Sequence, residues 1–268
     1  MVDTTATLSG PAQRQAALWG RKAADWTELG EVLMTGLFNA VLDQLDIKAG
    51  TRLLDVGCGS GVAAALALER GVEVNGLDAT PELLAFARKR APGAEFRHGE
   101  MEALPYPDDA FDVITGFNSF QYAADPVNAL REARRVARPG GSVMICAWDR
   151  AEHVDMAPAM RALGSLLPPP PPGAPGPFAL SEDGALAAFV RQAGLQPRHG
   201  GRYVDRWLLP ANLDTTLRGL LASGPASTAI EQAGEAAVRA VLAEVLPNYR
   251  TADGYRFENE FVYLIARA

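Results

Sequence analysis

Residues 51–61, with the sequence TRLLDVGCGSG, decide the fold of this chain. Residues 52–56 form a short apolar run of the length expected for a buried parallel strand, and glycines then occupy alternate positions. Residues 62–70, VAAALALER, contain no helix breaker and predict a helix. The order strand, glycine turn, helix is typical of a nucleotide-type pocket, because glycines let a ligand approach the backbone and a helix start offers unpaired N–H groups.

The spacing of the glycines alone leaves two cofactor classes open. If the dinucleotide fingerprint is counted from Gly57, Val62 occupies the position of its third glycine. If it is counted from Gly59, the residues Gly59, Gly61 and Ala64 fit a looser form of the fingerprint. Asp55 lies at the strand end beside the turn, and its carboxylate would repel a pyrophosphate. S-adenosylmethionine has no phosphate and brings a sulfonium and an ammonium cation. The charge of the turn therefore favours S-adenosylmethionine.

The composition indicates a soluble globular protein. The chain has 268 residues, of which 48% are hydrophobic and 21% charged, as expected for one domain with elaborations. No apolar run has the length of a membrane span, and the first residues do not resemble a secretory signal. Two cysteines, Cys58 and Cys146, suit a reducing compartment, so we expect a cytoplasmic protein. A formal charge of −7 argues against a nucleic acid partner, and the oligomeric state stays open.

A second strand and helix follow the first pair. Residues 71–77, GVEVNGL, alternate like a strand and end at Asp78, which lies 21 residues after Gly57. An acid at this distance typically meets the ribose hydroxyls at the tip of the neighbouring strand. Thr80 and the proline and glutamate that follow it are a good helix start. The sequence therefore repeats the strand and helix unit.

The same alternation continues to residue 148. Residues 94–99 predict a third strand and residues 111–117 a fourth, with Asn118 at its carboxyl end, where ligands bind. A helix starting near residue 125 leads to a fifth strand over residues 142–148. Four such alternations in a row predict an α/β fold with a doubly wound, mostly parallel sheet.

The remaining segments predict helical lids around this core. We expect an N-terminal helical lid over residues 1–50 and a core over residues 51–268, with lid insertions at about 150–180 and 210–248. Residues 12–45 predict two helices, and residues 212–246 predict two more, broken near residue 224. The proline run at residues 168–172 predicts an extended surface loop across the mouth of the site.

Taken together, these motifs resemble class I S-adenosylmethionine-dependent methyltransferases, in particular the small-molecule subgroup that includes quinone C-methyltransferases. The resemblance runs from about residue 53 to residue 147. It rests on LLDVGCGSG, on the acid in GLDAT, on HGEMEALPYPDDAFDVI and on ARPGGSVMI. It implies a Rossmann-like sheet of seven strands, with the last strand, RFENEFVYLIA at residues 256–266, antiparallel between the fifth and the sixth.

The resemblance also implies which residues hold S-adenosylmethionine. Asp55 and the glycine turn should hold its methionine part, Asp78 its ribose, and Glu100 and Met101 should lie beside the adenine. The full set of cofactor-binding candidates is Asp55, Gly57, Cys58, Gly59, Gly61, Asp78, Ala79, Glu100, Met101 and Asn118.

The acceptor side of the site is less defined by sequence. Trp19 and Trp26 are seven residues apart, so they share a helical face, either as core residues or as a roof over the pocket. The sulfonium methyl is already activated, and a base matters only for some acceptors; His153, after the fifth strand, is the candidate base. No metal-ligand spacing occurs, so no metal is expected. The candidates for the substrate pocket are Trp19, Trp26, Phe117, Tyr122 and Trp148.

Several functions compete with a methyltransferase that acts on a small-molecule acceptor. A nucleic acid methyltransferase is disfavoured because the fourth strand ends in GFNSFQY, without the prolines of amino-methylating DNA enzymes, and because the charge is acidic. The spacing of Gly59, Gly61 and Ala64 is still compatible with a nicotinamide oxidoreductase. However, no tyrosine has a lysine four positions later, as one large class of dehydrogenases requires. A regulatory protein that binds S-adenosylmethionine without catalysis stays the alternative, and sequence does not identify the acceptor or its atom.

Overall fold

One β-sheet forms the centre of the protein. The computed structural model describes residues 8, 10–170 and 176–268. The inner strands are nearly continuous apolar runs, as parallel strands covered on both faces require. In chain order the strands are β1 (Arg52–Val56), β2 (Glu73–Asp78), β3 (Glu95–His98), β4 (Phe111–Phe117), β5 (Ala137–Trp148), β6 (Gln196–Pro210) and β7 (Gly254–Arg267).

The topology of the sheet confirms the predicted fold. The seven strands are ordered β3-β2-β1-β4-β5-β7-β6. β1 lies parallel between β2 and β4, and β5 continues the parallel half beside β4. β7 runs antiparallel to both β5 and β6, as the family resemblance implied. The carboxyl ends of β1, β2 and β4 therefore meet at one edge, where open α/β sheets bind ligands.

Helices cover both faces of the sheet. Successive residues of β1 point to opposite faces, so Leu53 and Leu54 join two different apolar clusters, one on each face of the sheet. The α-helices are α1 (Gly10–Gly20), α2 (Ala23–Asp25), α3 (Thr35–Leu42), α4 (Val62–Glu69), α5 (Pro81–Arg90), α6 (Pro126–Val136), α7 (Ala157–Gly164), α8 (Ala185–Gln192), α9 (Leu213–Leu220), α10 (Gly224–Ala233) and α11 (Glu235–Val245).

The N-terminal segment is more broken than the two predicted helices. Between α2 and α3 the chain forms a π-helical turn, Trp26–Gly30, and a 3₁₀ turn, Glu31–Met34. The turn is possible because Gly30 has no side chain; a Cβ there would lie 2.4 Å from the ring of Trp26. Short π-helical segments are rare and frequently lie at functional sites. Residues 1–7 and 9 of the predicted lid lie outside the described residues.

The C-terminal lid also differs from its prediction. Three helices, α9, α10 and α11, replace the predicted pair. Gly224 and Pro225, taken as a break, begin α10, and Ser223 caps it by accepting a hydrogen bond from the backbone N–H of Ala226. A proline in the first helical turn costs little, because the N–H that it lacks would have no partner there. Of the predicted proline loop, residues 171–175 lie outside the described part of the chain.

Two further expectations can be compared with the structure. Among the described residues, no helix combines the length and the apolar character needed to cross a membrane. Cys58 and Cys146 are both buried free thiols.

The glycine turn provides a test of how the fold constrains its sequence. Gly57 has a φ of +75°, and a Cβ there would lie 2.5 Å from the Cβ of Ser119. Gly184 has a similar φ of +80°, but among the described residues no heavy atom lies within 4 Å of its Cβ position. We expect Gly184→Ala to lower the free energy of unfolding by about 1–2 kcal/mol, the cost of the left-handed backbone. Gly57→Ala should cost roughly 1–3 kcal/mol more, because it also overpacks. Urea unfolding of both variants measures the difference, and equal losses would contradict the steric argument.

Candidate active site

A cavity of about 230 Å³ opens at the carboxyl edge of the sheet. Its wall combines the turns after β1, β2 and β4 with residues of the N-terminal segment and the later helices. Gly61 and His153 are not part of this wall. The other sequence-derived candidates all line it: Asp55, Gly57, Cys58, Gly59, Asp78, Ala79, Glu100, Met101, Asn118, Trp19, Trp26, Phe117, Tyr122 and Trp148.

Asp55 is a buried carboxylate at the end of β1. Its side chain is 2% exposed, and Oδ1 accepts a hydrogen bond of 2.7 Å from the hydroxyl of Thr115 on β4. Burial raises the pKa of Asp55 to about 7, the negative charges of Glu31 and Asp78 act in the same direction, and the Thr115 hydroxyl partly opposes them. Asp55 is thus poised to ionise when a positive charge approaches.

Asp78 ties the second strand to the glycine turn. One carboxylate oxygen accepts a 2.9 Å hydrogen bond from the backbone N–H of Gly59, and the other a 2.8 Å bond from that of Thr80. Burial raises the pKa of Asp78, and these backbone donors oppose the shift. A carboxylate has about four acceptor positions. Asp78 can therefore also accept hydrogen bonds from ligand hydroxyls.

Glu31 is the cavity residue that the sequence analysis missed. It comes from the 3₁₀ turn of the N-terminal segment, is 4% exposed, and accepts a 2.7 Å hydrogen bond from the backbone N–H of Ser60. Burial raises its pKa, although backbone hydrogen bonds and Arg90 oppose the shift. A single acid in a helical stretch carries no sequence signal for such a contact.

Asn118 holds an uncommon backbone conformation at the end of β4. Its φ is +52°, in the left-handed region, and its N–H donates a 2.9 Å hydrogen bond to the carbonyl of Cys146 on β5. Gln121 donates to its side-chain oxygen. Strained backbone of this kind clusters at ligand sites. The conformation supports the sequence-based hypothesis that Asn118 faces a ligand.

The turn after β3 forms a further, polar part of the wall. Glu100 accepts a 3.2 Å hydrogen bond from the N–H of Glu102, and Glu102 accepts one of 2.7 Å from the N–H of Ala124. These bonds fold the turn around its acids and leave Met101 on the cavity surface. This is the place where the family resemblance puts the adenine.

Aromatic side chains form an apolar part of the wall, which we call the aromatic end. The rings of Trp19 and Trp26 meet edge to face with centroids 4.9 Å apart, and Trp19 meets Tyr122 at 5.8 Å. Trp148 and Trp207 meet at 5.8 Å. Burial raises the pKa of Tyr122 to about 12, so its phenol stays neutral at physiological pH. This end of the cavity suits an apolar ligand. Further apolar lining residues are Met34, Phe38, Met156, Met160, Leu163, Leu220 and Leu242.

His153 lies in a charged cluster away from this wall. Its Nδ1 is 2.9 Å from a carboxylate oxygen of Glu260 and 3.3 Å from one of Asp149. These three residues are grouped closely enough to hold a metal ion, a grouping that sequence spacing did not reveal. Arg202 already donates a 2.8 Å hydrogen bond to the same oxygen of Asp149, so an ion-pair network accounts for the cluster. The placement gives no support to His153 as a base.

The charges of the residues that line the cavity indicate which cofactor it can hold. Glu31, Asp55 and Asp78 converge at one end, and the described lining includes no lysine, arginine or histidine. Buried carboxylates without a partner of opposite charge are costly, and a cationic ligand relieves that cost. A pyrophosphate would increase it. The residues present therefore fit S-adenosylmethionine, which brings two cations, and do not fit a dinucleotide.

Comparison with known sequences points to the same cofactor. Residues 54–145 match the family model described as a methyltransferase domain. The chain is 34% identical over 121 residues to demethylmenaquinone methyltransferase of Chlorobaculum parvum, and the aligned region covers 45% of this chain and 48% of that protein. It is 32% identical over 141 residues to malonyl-[acyl-carrier protein] O-methyltransferase of Serratia marcescens, with 53% and 55% covered. It is 33% identical over 140 residues to 27-O-demethylrifamycin SV methyltransferase of Amycolatopsis mediterranei, with 48% and 52% covered. The chain thus spans about half the length of these relatives.

Solved structures share the fold at low identity. The YcgJ protein of Bacillus subtilis superimposes with a TM-score of 0.58 at 21% identity, covering 87% of this chain and 98% of that one. The [4+2]-cyclase SpnF superimposes with a TM-score of 0.55 at 22% identity, covering 87% and 80%. At this identity the likeness establishes the architecture alone.

The acid cluster predicts a pH-dependent affinity for a cationic ligand. The pKa of Asp55 is raised from its ordinary value to about 7, so this group stabilises the unliganded fold in acid and loses that contribution as pH rises through about 7. A cation favours the ionised form, so binding releases protons. We expect the affinity for S-adenosylmethionine to increase roughly threefold to tenfold between about pH 6 and pH 8. Titration calorimetry in two buffers of different ionisation enthalpy measures affinity and proton release together.

Asp55→Asn is the matched control for this experiment. It should bind more weakly and show a shallower pH dependence, and Glu31 and Asp78 should account for the remainder, since their pKa values are raised too. An affinity that is constant or falls with rising pH in the unmodified protein would contradict the assignment of the acid end.

Proposed function

We propose that this chain, whose residues 54–145 match a methyltransferase domain, transfers a methyl group from S-adenosylmethionine to an apolar small-molecule acceptor. One observation carries the proposal. One cavity is lined both by the acids Glu31, Asp55 and Asp78, called the acid end, and by aromatic side chains that include Trp26 and Trp148 of the aromatic end. The acid end suits the cationic donor, and the aromatic end suits an acceptor with little charge.

The proposed cofactor contacts follow from the wall of the acid end. Asp55 and the glycine turn would hold the methionine part, Asp78 the ribose hydroxyls, and Glu100 and Met101 the adenine. Asn118 lines the same cavity and is close in sequence to Tyr122 of the aromatic end, so it would face the methyl group or the acceptor. The already organised hydrogen bonds of Asp78 to Gly59 and Thr80 support this arrangement, because they fix the carboxylate before the ligand arrives.

Alignment is the main catalytic contribution that we infer for the chain. The cofactor supplies an activated methyl group on a sulfonium. Holding two reactants in line is worth roughly 7–11 kcal/mol in favourable intramolecular cases. No histidine occurs among the described lining residues, and Tyr122 stays protonated because its pKa is raised to about 12. We therefore propose an acceptor atom that is nucleophilic or acidic enough to react without a histidine base.

Three chain segments would act as lids that exclude water. The N-terminal segment contributes Trp19 and Trp26 to the wall, the segment after β5 contributes Met156, and the helices α9 and α11 contribute Leu220 and Leu242. Closure matters because water weakens electrostatic interactions in the site and competes with the acceptor. We propose that these segments, together with the remainder of the predicted 150–180 insertion, determine which acceptor enters.

Transfer of an isotope-labelled methyl group tests the proposed function directly. The purified protein would be incubated with S-adenosylmethionine labelled in its methyl group and with metabolite extracts fractionated by polarity. We expect a labelled product in an apolar fraction, detected by mass spectrometry. Gly59→Val is the control, because a valine there has a strained φ of +53° and its Cβ would lie 2.7 Å from a carboxylate oxygen of Glu31. This variant should give no labelled product.

Two results would contradict the proposal. Binding of the cofactor without labelled product in any fraction would favour a regulatory protein that binds S-adenosylmethionine. A labelled product confined to charged, hydrophilic fractions would contradict the assignment of the aromatic end to the acceptor.

A further inference from the structure

Glu31 caps the start of α4, a helix that begins about thirty residues later in the chain. The helix α4 has no side-chain cap of its own at Gly61. Instead, the carboxylate of Glu31 accepts hydrogen bonds from the backbone N–H groups of Ser60 at 2.7 Å and Val62 at 3.2 Å. Amides at a helix start lack intrahelical partners and attract anions. An acid from the N-terminal segment therefore occupies the anion position of the glycine turn.

A second contact ties the same two parts of the chain together. Arg90, at the end of α5, donates hydrogen bonds to the carbonyl of Ser60 at 2.7 Å and to that of Thr27 at 3.2 Å. Arg90 is not in the cavity wall, so its charge lies behind the turn rather than in the ligand space. The N-terminal segment is thus linked to the glycine turn twice, by Glu31 directly and by Thr27 through Arg90.

Glu31 also faces the ligand space. It lines the cavity together with Asp55 and Asp78, and its Oε2 lies 2.7 Å from where a Cβ of Gly59 would be. The carboxylate is thus in contact with the glycine that lets a ligand approach the backbone. A phosphate at this turn would have to displace Glu31, whereas a cation would gain a third carboxylate.

We propose that Glu31 is a cofactor-site residue, which binds the cationic methionine end of the ligand and makes docking of residues 10–42 part of cofactor binding. This inference rests on the proposed function, since it assumes S-adenosylmethionine as the ligand. Because the same carboxylate holds the N-terminal segment on the turn, the segment and the ligand stabilise each other's positions. Glu31 thereby selects a cationic ligand over one that carries phosphate.

Glu31→Gln and Glu28→Gln form a matched pair for the test. Both remove one negative charge from neighbouring turns of the same segment, but Glu28 is exposed and outside the cavity wall. Affinities would be measured by calorimetry for S-adenosylmethionine, S-adenosylhomocysteine and 5′-deoxy-5′-methylthioadenosine, which lacks the amino acid end and is uncharged. We expect Glu31→Gln to lower the affinity for S-adenosylmethionine at least tenfold. The affinity for S-adenosylhomocysteine should fall by a smaller factor, and that for the uncharged thioether by less than twofold. Glu28→Gln should change none of them more than twofold.

Hydrogen exchange provides a readout that does not depend on catalysis. In the unmodified protein we expect residues 23–42 to become protected when S-adenosylhomocysteine binds, and Glu31→Gln should lose most of that protection at saturating ligand. Unchanged affinity for S-adenosylmethionine in Glu31→Gln would overturn the inference. An equal loss for the uncharged thioether would overturn it too, because Glu31 would then be only a structural cap. Failure of the unmodified protein to bind any of the three ligands would instead overturn the proposed function.

Discussion

The parallel pairing of β1 with β2 and β4 is the constraint on which the rest of the structure depends. Asp55 is in register with Gly76 on one side and Thr115 on the other. This register places the Thr115 hydroxyl on the Asp55 carboxylate and ends β2 at Asp78, beside the glycine turn. A slip of one residue would turn Asp55 to the opposite face. Buried apolar neighbours such as Leu53 and Leu54 make that slip costly, so the core holds the acids in place.

Sequence predicted the parallel half of the sheet well for a physical reason. Strands β1 and β4 have the predicted bounds, because each is an apolar run between residues that favour turns. The last strand was predicted too short: β7 spans Gly254–Arg267 instead of residues 256–266, and it pairs along its whole length with β6. The first residues of β6, 196–200, are mostly exposed, and their antiparallel pairing with β7 makes them part of a strand. Such pairing is a tertiary effect that local patterns do not contain.

The candidate site, like the sheet, has residues that local sequence patterns predict and residues that depend on long-range contacts. The cavity wall contains Asp55, Asp78 and two of the three glycines that local spacing identified, because that spacing is tied to strand ends. Glu31 and the His153 cluster were out of reach, since each depends on contacts between residues far apart in sequence. Glu31 meets Ser60 and Val62 across about thirty residues, and His153 meets Glu260 across more than a hundred. The position of His153 after the fifth strand suggested a catalytic base, but its side chain contacts Glu260 on β7.

The pairing of β6 and β7 extends the fold beyond the main sheet and adds to the cavity wall. Residues 254–260 of β7 pair with β6, while the ladder with β5 begins only at Phe261. The strands therefore extend past the main sheet as a two-stranded arm, which carries Trp207 to the aromatic end of the cavity. The acids Glu31, Asp55 and Asp78 all precede this arm in the chain, as do Trp19, Trp26 and Tyr122 of the aromatic end. On the proposed function, evolution or redesign could therefore alter acceptor preference by exchanging the arm and the helices beside it, while the three acids are inherited intact.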